Sequence, residues 1–208
     1  MRQQIPGAWP FSSHVLNERQ LVFDGSLTPV ALATHQIVLN YASVTYMVPL
    51  GISAAAAVSA GHAVGAGDAA RARRAGWLAL GLGTSFMLLA AVAFLAWPRP
   101  LIELFTCDAR VLAVGPGLLG IVAAFEVFDG TQTVSTAALR GLGETRAPMM
   151  ANFVGYWVLG LPLGFLLCFA LKRGIYGLWI GLTLALVVIA LAVLARWQRD
   201  SVRMALTH

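Results

Sequence analysis

Residues 75–98 read AGWLALGLGTSFMLLAAVAFLAWP and contain no Asp, Glu, Lys or Arg. A membrane-spanning helix needs about 20 predominantly apolar residues, so this stretch is long enough to cross a bilayer. Three further runs, 25–67, 147–171 and 174–195, also have no charged residue. A fourth run, 111–139, has only two, Glu126 and Asp129. Because lipid offers the backbone no hydrogen-bond partners, each run is predicted to be helical.

The composition of the chain supports the same class of protein. Of its 208 residues, 59% are hydrophobic and only 11% are charged, against about a quarter charged in an ordinary soluble domain. The formal net charge of +5 does not indicate a nucleic-acid partner, because the charges lie in short clusters between apolar runs. We therefore predict an all-α, polytopic transmembrane bundle of about five spans, at about 30–58, 76–97, 112–138, 149–171 and 175–195.

The distribution of arginine predicts the orientation of the bundle. The loops on one side hold eight Lys or Arg residues and those on the other side hold four, or six when the first 27 residues are included. The positive-inside rule then places the loops with Arg71–Arg74 and Arg140–Arg146, and the tail 198–208, in the cytoplasm.

Residues 1–27 contain Pro6 and Pro10 and no long apolar stretch, and are predicted to be an irregular tail.

Two carboxylates lie near the middle of the third span. Glu126 and Asp129 are three residues apart and so share one face of a helix. A charge at the bilayer centre costs about 2.5–3.5 kcal/mol on insertion scales, and such residues usually mark ion or proton pathways. The predicted spans contain no Lys or Arg to neutralise the pair. We predict a site that exchanges a proton or binds a cation such as Na+; the alternative is a neutral pair hydrogen-bonded to neighbouring helices.

Other polar residues follow the same spacing. Gln36, Asn40, Ser43 and Met47 recur at i, i+4, i+7 and i+11 and form one stripe along the first span, and Gln132 extends the acidic face of the third. These residues predict a polar cavity for a substrate or an ion, with hydrogen bonding between helices as the alternative. No nucleophile–base pair or metal constellation occurs in any span, so neither an enzyme nor a cofactor is expected.

Five sequence segments occur in a characteristic order along residues 27–197. They are HQIVLNYASVTYMVPLG (35–51), GHAVGAGD (61–68), LRGLGETRAP (139–148), YWVLGLPLG (156–164) and GIYGLWIGL (174–182). In order and spacing they resemble the multidrug and toxic compound extrusion (MATE) family, in particular its NorM-like bacterial branch. There they would correspond to the eighth helix, the glycine-rich turn after it, the loop between the tenth and eleventh helices, and the last two helices.

The resemblance implies an antiporter of the bacterial inner membrane that exports drugs and other small organic cations against an inward gradient of Na+ or H+. Family members have twelve helices in two lobes, and residues 28–197 would form the C-terminal lobe. Asp129 matches the acidic position of the tenth helix that the family uses for cation coupling. Glu126 is not a family ligand and would assist it, while Gln36, Asn40, Ser43 and Gln132 would line the substrate pathway.

The sequence also departs from the family pattern. The acidic residue of the seventh helix would fall near Ser13, in the tail that does not match, and the tyrosine one turn before the aspartate is Phe125 here. Two alternatives therefore stay open beside a working exporter. One is a truncated or frameshifted product that is inactive alone. The other is a half-transporter that associates with itself or with a separately encoded N-terminal lobe.

Overall fold

The computed structural model describes residues 28–206, and the regular structure in that range is entirely helical. The helices are α1 (Pro29–Gly65), α2 (Ala69–Ala96), α3 (Pro98–Glu103), α4 (Ala109–Gly141), α5 (Arg146–Ala170) and α6 (Gly174–Leu206). All except the short α3 are long and apolar enough to cross a membrane. The prediction of an all-α bundle with five spans is confirmed. The predicted tail 1–27 lies outside the described residues, and α6 continues through most of the predicted tail 198–208.

Side-chain caps mark the start of three spanning helices, and two of these, α2 and α4, begin before their apolar runs do. Thr28, Asp68 and Asp108 each accept a hydrogen bond from a backbone N–H in the first turn that follows, at 3.2, 2.8 and 2.9 Å. Such caps satisfy amide groups that have no partner within the helix, so a helix can begin in the polar loop. At the other end of α1, Gly67 has a φ of +72°, a conformation that glycine adopts without strain. Helix α1 therefore ends later than the predicted span of about 30–58, just before this turn.

Proline lies inside three of the spanning helices: Pro49 in α1, Pro116 in α4 and Pro162 in α5. Pro49 lies inside the continuous helix α1, where its ring nitrogen cannot donate to the carbonyl of Thr45. In α5, π-helical turns at Gly155–Gly160 and Leu166–Ala170 flank the short α-helical stretch that contains Pro162. Helices α1 and α5 therefore have backbone carbonyl groups near their middle that lack the usual α-helical hydrogen bond.

Helix α4 is the centre of the bundle. It packs against α1, α2 and α6, while α5 lies along α6. Two apolar clusters surround α4, one near Leu118 and Leu119 and the other near Val134 and Leu139. Between and beside them α4 buries the polar residues Glu126, Gln132, Thr133 and Ser135. The middle of α4 thus carries a polar layer inside an otherwise apolar bundle.

Glycines allow α5 and α6 to approach at backbone distance. A Cβ atom added at Gly177 would lie 2.5 Å from the carbonyl oxygen of Leu167, and one added at Gly181 would lie 2.5 Å from the amide nitrogen of Gly164. Either atom would be closer than van der Waals contact permits. The absence of a side chain at these two positions therefore sets the spacing of the two helices.

Candidate functional site

Glu126 is the most deeply buried acid in the described part of the chain. Its side chain lies in the polar layer of α4 with none of its surface exposed. Oε2 is 2.5 Å from the hydroxyl oxygen of Thr45 on α1, whereas Oε1 is buried and has no hydrogen-bond partner among residues 28–206. A buried carboxylate with an unpaired oxygen is costly, so the protonation state of this group matters to the packing of α1 on α4.

The hydrogen bonds of Thr45 bear on that protonation state. Its hydroxyl oxygen is also 2.9 Å from the carbonyl oxygen of Tyr41 and 3.0 Å from that of Ala42. A hydroxyl has one hydrogen to donate, and the two carbonyls can only accept. When Thr45 donates within α1, the short contact to Glu126 requires a hydrogen on the carboxyl group. The geometry thus suits a protonated Glu126 that donates to Thr45, and loss of that proton would draw the Thr45 hydrogen away from α1.

Asp129 lies one turn further along α4 and is half-buried. It interacts electrostatically with Glu126 and with the hydroxyl of Tyr156 on α5, and it makes no hydrogen bond to another residue between 28 and 206. Glu126 contacts α1, whereas the electrostatic interaction of Asp129 outside α4 is with a residue of α5. The two carboxylates that the sequence predicts as a site are therefore brought together, between two helices with irregular backbones.

An amide and hydroxyl network adjoins the acids on the same helix. Gln132 donates from Nε2 to Oδ1 of Asn152 on α5 at 2.6 Å, and its Oε1 accepts from Thr133 at 3.3 Å. Thr133 is in turn 3.4 Å from the hydroxyl of Tyr46 on α1. Gln132 thus takes part in hydrogen bonding between helices, which is the alternative that the sequence left open for it, and does so next to the carboxylates.

The polar stripe of α1 is not part of this cluster. Gln36, Asn40 and Ser43 are exposed on the outer face of the bundle. The amide of Gln36 lies 3.4 Å from that of Asn40, and Ser43 donates to the carbonyl of Leu39, so these hydrogen bonds all stay within α1. The structure therefore does not bring these three predicted pathway residues into contact with Glu126 or Asp129.

Sequence reasoning missed the residues of α1 and α5 that interact with the polar layer of α4, namely Thr45, Tyr46, Asn152 and Tyr156. Thr45 and Tyr46 do not belong to the polar stripe of α1, and threonine and tyrosine are common in membrane helices. Asn152 offered a better signal, because it is the one amide side chain between residues 149 and 171.

The site offers oxygen ligands of several kinds. Among residues 28–206, no three His, Cys, Asp or Glu side chains cluster closely enough to hold a metal ion. A cation at Asp129 would need carboxylate oxygens together with neutral groups, and backbone carbonyls freed at helix breaks serve this purpose for Na+ in other transporters. The Thr45 carbonyl, which lacks its usual donor because of Pro49, is such a group on α1, and it belongs to the residue whose hydroxyl contacts Glu126.

Comparison with known protein sequences finds relatives of this chain. The sequence profile of the MatE family matches residues 17–166. The chain is 45% identical over 179 residues to multidrug resistance protein NorM of Burkholderia vietnamiensis, covering 84% of this chain and 38% of that protein. It is 41% identical over 200 residues to a probable multidrug resistance protein NorM of Mesorhizobium japonicum, covering 94% and 43%. The chain thus spans less than half the length of these relatives.

Solved structures give the same picture for the fold. An inward-facing multidrug resistance MATE family transporter of the MOP superfamily superposes with a TM-score of 0.78 at 16% identity, covering 94% of this chain and 45% of that one. An outward-facing one superposes with a TM-score of 0.79 at 16% identity, covering 93% and 43%. At this identity the likeness concerns the fold, and the five spanning helices match about half of each transporter.

Proposed function

The chain belongs to the MatE family, and from this membership we propose that it is the C-terminal lobe of an antiporter that exports small organic cations. The inward movement of H+ or Na+ would drive the export. The chain would act as a multi-pass protein of the bacterial inner membrane, with its arginine-rich end and its C-terminus in the cytoplasm, and as a transporter rather than an enzyme.

One observation carries this proposal, the pair of buried carboxylates in the middle of α4. Glu126 and Asp129 lie near the middle of α4, and they interact with different helices: Glu126 contacts Thr45 on α1, and Asp129 interacts electrostatically with Tyr156 on α5. Buried acids without a basic partner change their interactions when they take up a proton or a cation, and that is what ion coupling requires. Asp129 would hold the coupling ion, and Glu126 would assist.

The contacts suggest how ion binding would move a helix. In the ion-bound state, with Glu126 protonated, the carboxyl group donates to Thr45 and leaves the hydroxyl hydrogen of Thr45 with the carbonyls of α1. Release of the proton leaves an anion that must recruit that hydrogen and a partner for Oε1. The preferred position of α1 relative to α4 would therefore differ between the two states. Pro49 and the π-turns of α5 are places where the backbone can accommodate such a shift.

The polar stripe of α1 concerns the substrate pathway, which is the second part of the proposal. Gln36, Asn40 and Ser43 face away from the five-helix bundle, where a second lobe would lie in a complete transporter. They would then line the substrate pathway between the lobes from the side of this chain. The N-terminal lobe, encoded with this chain or separately, would supply the opposite wall.

The proposal is tested by efflux of a fluorescent organic cation from cells. The chain is expressed joined to the N-terminal half of the NorM protein of Burkholderia vietnamiensis, and Asp129→Asn is compared with the unmodified chimera. We expect the variant to lose efflux at equal membrane abundance. The control is Asp108→Asn, which removes an acid at the start of α4 away from the polar layer and should keep efflux. Undiminished efflux by a well-expressed Asp129→Asn chimera would refute the assignment.

A further inference from the structure

A groove of about 380 Å³ runs between the start of α5 and the last third of α6, away from the acidic pair. Its wall consists mainly of short apolar side chains: Ala147, Ala151, Ala192, Val193 and Ala195. Arg196 and Arg199 complete the lining, and because they follow the alanines along α6 they lie at one end of the groove. The groove is therefore amphipathic along its length: it is apolar where the alanines line it and cationic at the end where the two arginines lie.

The two arginines differ in how their charges are matched. Arg196 pairs with Asp200 at 2.7 Å and lies 3.4 Å from Glu144. The backbone N–H of Ala147 donates to Glu144 and holds the pKa of that carboxyl below its usual value, so Glu144 is ionised near neutrality. Arg199 is exposed and makes no hydrogen bond or ion pair with any residue whose side chain the structure describes. The charge of Arg196 is thus balanced locally, and that of Arg199 is available.

The surroundings of the groove have an excess of positive charge. Arg146 begins α5 and interacts electrostatically with Glu144, and Arg203 lies one turn beyond Arg199 on α6. Residues at i, i+3 and i+7 share one helix face, so Arg196, Arg199 and Arg203 form a basic stripe. The N-terminus of α5 adds the positive end of its helix dipole at the same place. Among the residues whose side chains the structure describes, Glu144 and Asp200 are the carboxylates that interact with Arg196 and Arg146.

We propose that this groove binds one anionic phospholipid. An acyl chain would lie over the alanines between α5 and α6, and the phosphate would lie against the guanidinium of Arg199, with Arg196 as a second donor. Guanidinium groups suit phosphate oxygens because their N–H groups form a planar fork. Basic pockets between membrane helices are a known form of lipid site. A free phosphate ion would use only the cationic end, and the apolar wall therefore favours a lipid. The proposal does not depend on the ion-coupling role of Asp129.

Native mass spectrometry of the purified full-length chain in detergent tests this site. The chain is titrated with phosphatidylglycerol and, separately, with phosphatidylcholine of the same acyl chains. We expect one phosphatidylglycerol to bind at lower concentration than phosphatidylcholine. Arg199→Gln should weaken its binding about fivefold, because an arginine near a lipid surface contributes about 1 kcal/mol. Ala195→Trp, which fills the apolar wall at an exposed position, should also weaken binding.

The matched control is Arg73→Gln, which removes one exposed arginine from the start of α2 that does not line the groove. It should bind phosphatidylglycerol like the unmodified chain. Equal loss in Arg199→Gln and Arg73→Gln would mean that only the net charge attracts lipid and would overturn the proposal. Full competition by millimolar inorganic phosphate, or unchanged binding in Ala195→Trp with an unaltered circular dichroism spectrum, would contradict the lipid assignment.

Discussion

The hydroxyl oxygen of Thr45 lies 2.5 Å from Oε2 of Glu126, and this contact joins the middle of α1 to the middle of α4. The other oxygen of the same carboxyl group has no hydrogen-bond partner among residues 28–206. Thr45 is therefore the side chain on which the burial of Glu126 depends. The contact links the chemistry of the acid to the position of a neighbouring helix.

Replacing Thr45 by valine should destabilise the bundle. Thr45→Val keeps the shape of the side chain and leaves a fully buried carboxyl group without its partner, a loss of about 1–3 kcal/mol. Thermal unfolding in detergent measures the effect. Thr45→Ser keeps the hydroxyl and should unfold close to the unmodified chain. If the valine and serine variants were equally stable, the hydroxyl would not be the group that matters.

Replacing Glu126 by glutamine should separate the role of its proton from its role in packing. Glu126→Gln cannot titrate, yet its amide can still donate to Thr45, so we expect a folded protein whose efflux depends less on pH. The measurement is the pH profile of fluorescent-cation efflux in the chimera with an N-terminal NorM half. Glu126→Asp retains an acid and should retain a pH dependence. An identical profile in Glu126→Gln would remove Glu126 from the coupling mechanism.

The hydrogen bond between Gln132 and Asn152, at 2.6 Å, joins α4 to α5, and we expect it to contribute to the stability of the bundle. Asn152→Leu should cost about 1–3 kcal/mol because it leaves the Gln132 amide unpaired in the polar layer. The double variant Gln132→Leu/Asn152→Leu should recover part of that loss, since neither group is then left alone. A double-mutant cycle of unfolding free energies gives the coupling directly. Strict additivity would show that the two amides act independently.

The close approach of α5 and α6 predicts that Gly→Ala destabilises the protein at Gly177 in α6. The same substitution should stabilise it at Gly81, which lies in an open part of α2. Gly177→Ala would place a Cβ 2.5 Å from the Leu167 carbonyl oxygen and should destabilise the protein by about 1–3 kcal/mol. Gly81→Ala, in α2, meets nothing within 4 Å and should stabilise it by about 0.5–1 kcal/mol through helix propensity. Unfolding of both variants in the same detergent measures the pair. Equal effects would contradict the described helix spacing.

The fold was largely accessible to sequence reasoning, because charge-free runs of more than twenty residues leave few alternatives to spanning helices. The helix boundaries were less accessible. Helix α2 includes Arg71, Arg73 and Arg74, since Asp68 caps it beyond the apolar run, and α6 continues past the charged residues that follow its apolar run. Hydropathy indicates which residues can lie in lipid, whereas capping side chains determine where a helix begins.

The site was accessible only in part. Glu126 and Asp129 are evident because acids are rare in spans, and their depth in α4 follows from counting residues. The spacing of Gln36, Asn40 and Ser43 indicates that they share a face of α1, but it cannot say which neighbour that face meets. Thr45 lies on a different face and contacts Glu126 across 81 residues of sequence, a pairing that only tertiary packing decides.

Gradient-driven uptake into proteoliposomes tests the central claim most directly. The chimera with an N-terminal NorM half is reconstituted, and accumulation of a radiolabelled organic cation is measured under an imposed pH gradient and, separately, an imposed Na+ gradient. We predict that one of these gradients drives accumulation in the unmodified chimera. Asp129→Asn should show no gradient-driven uptake in either case, while Asp108→Asn behaves like the unmodified protein. Uptake by Asp129→Asn at the unmodified rate would contradict the assignment of the α4 carboxylate as the coupling site.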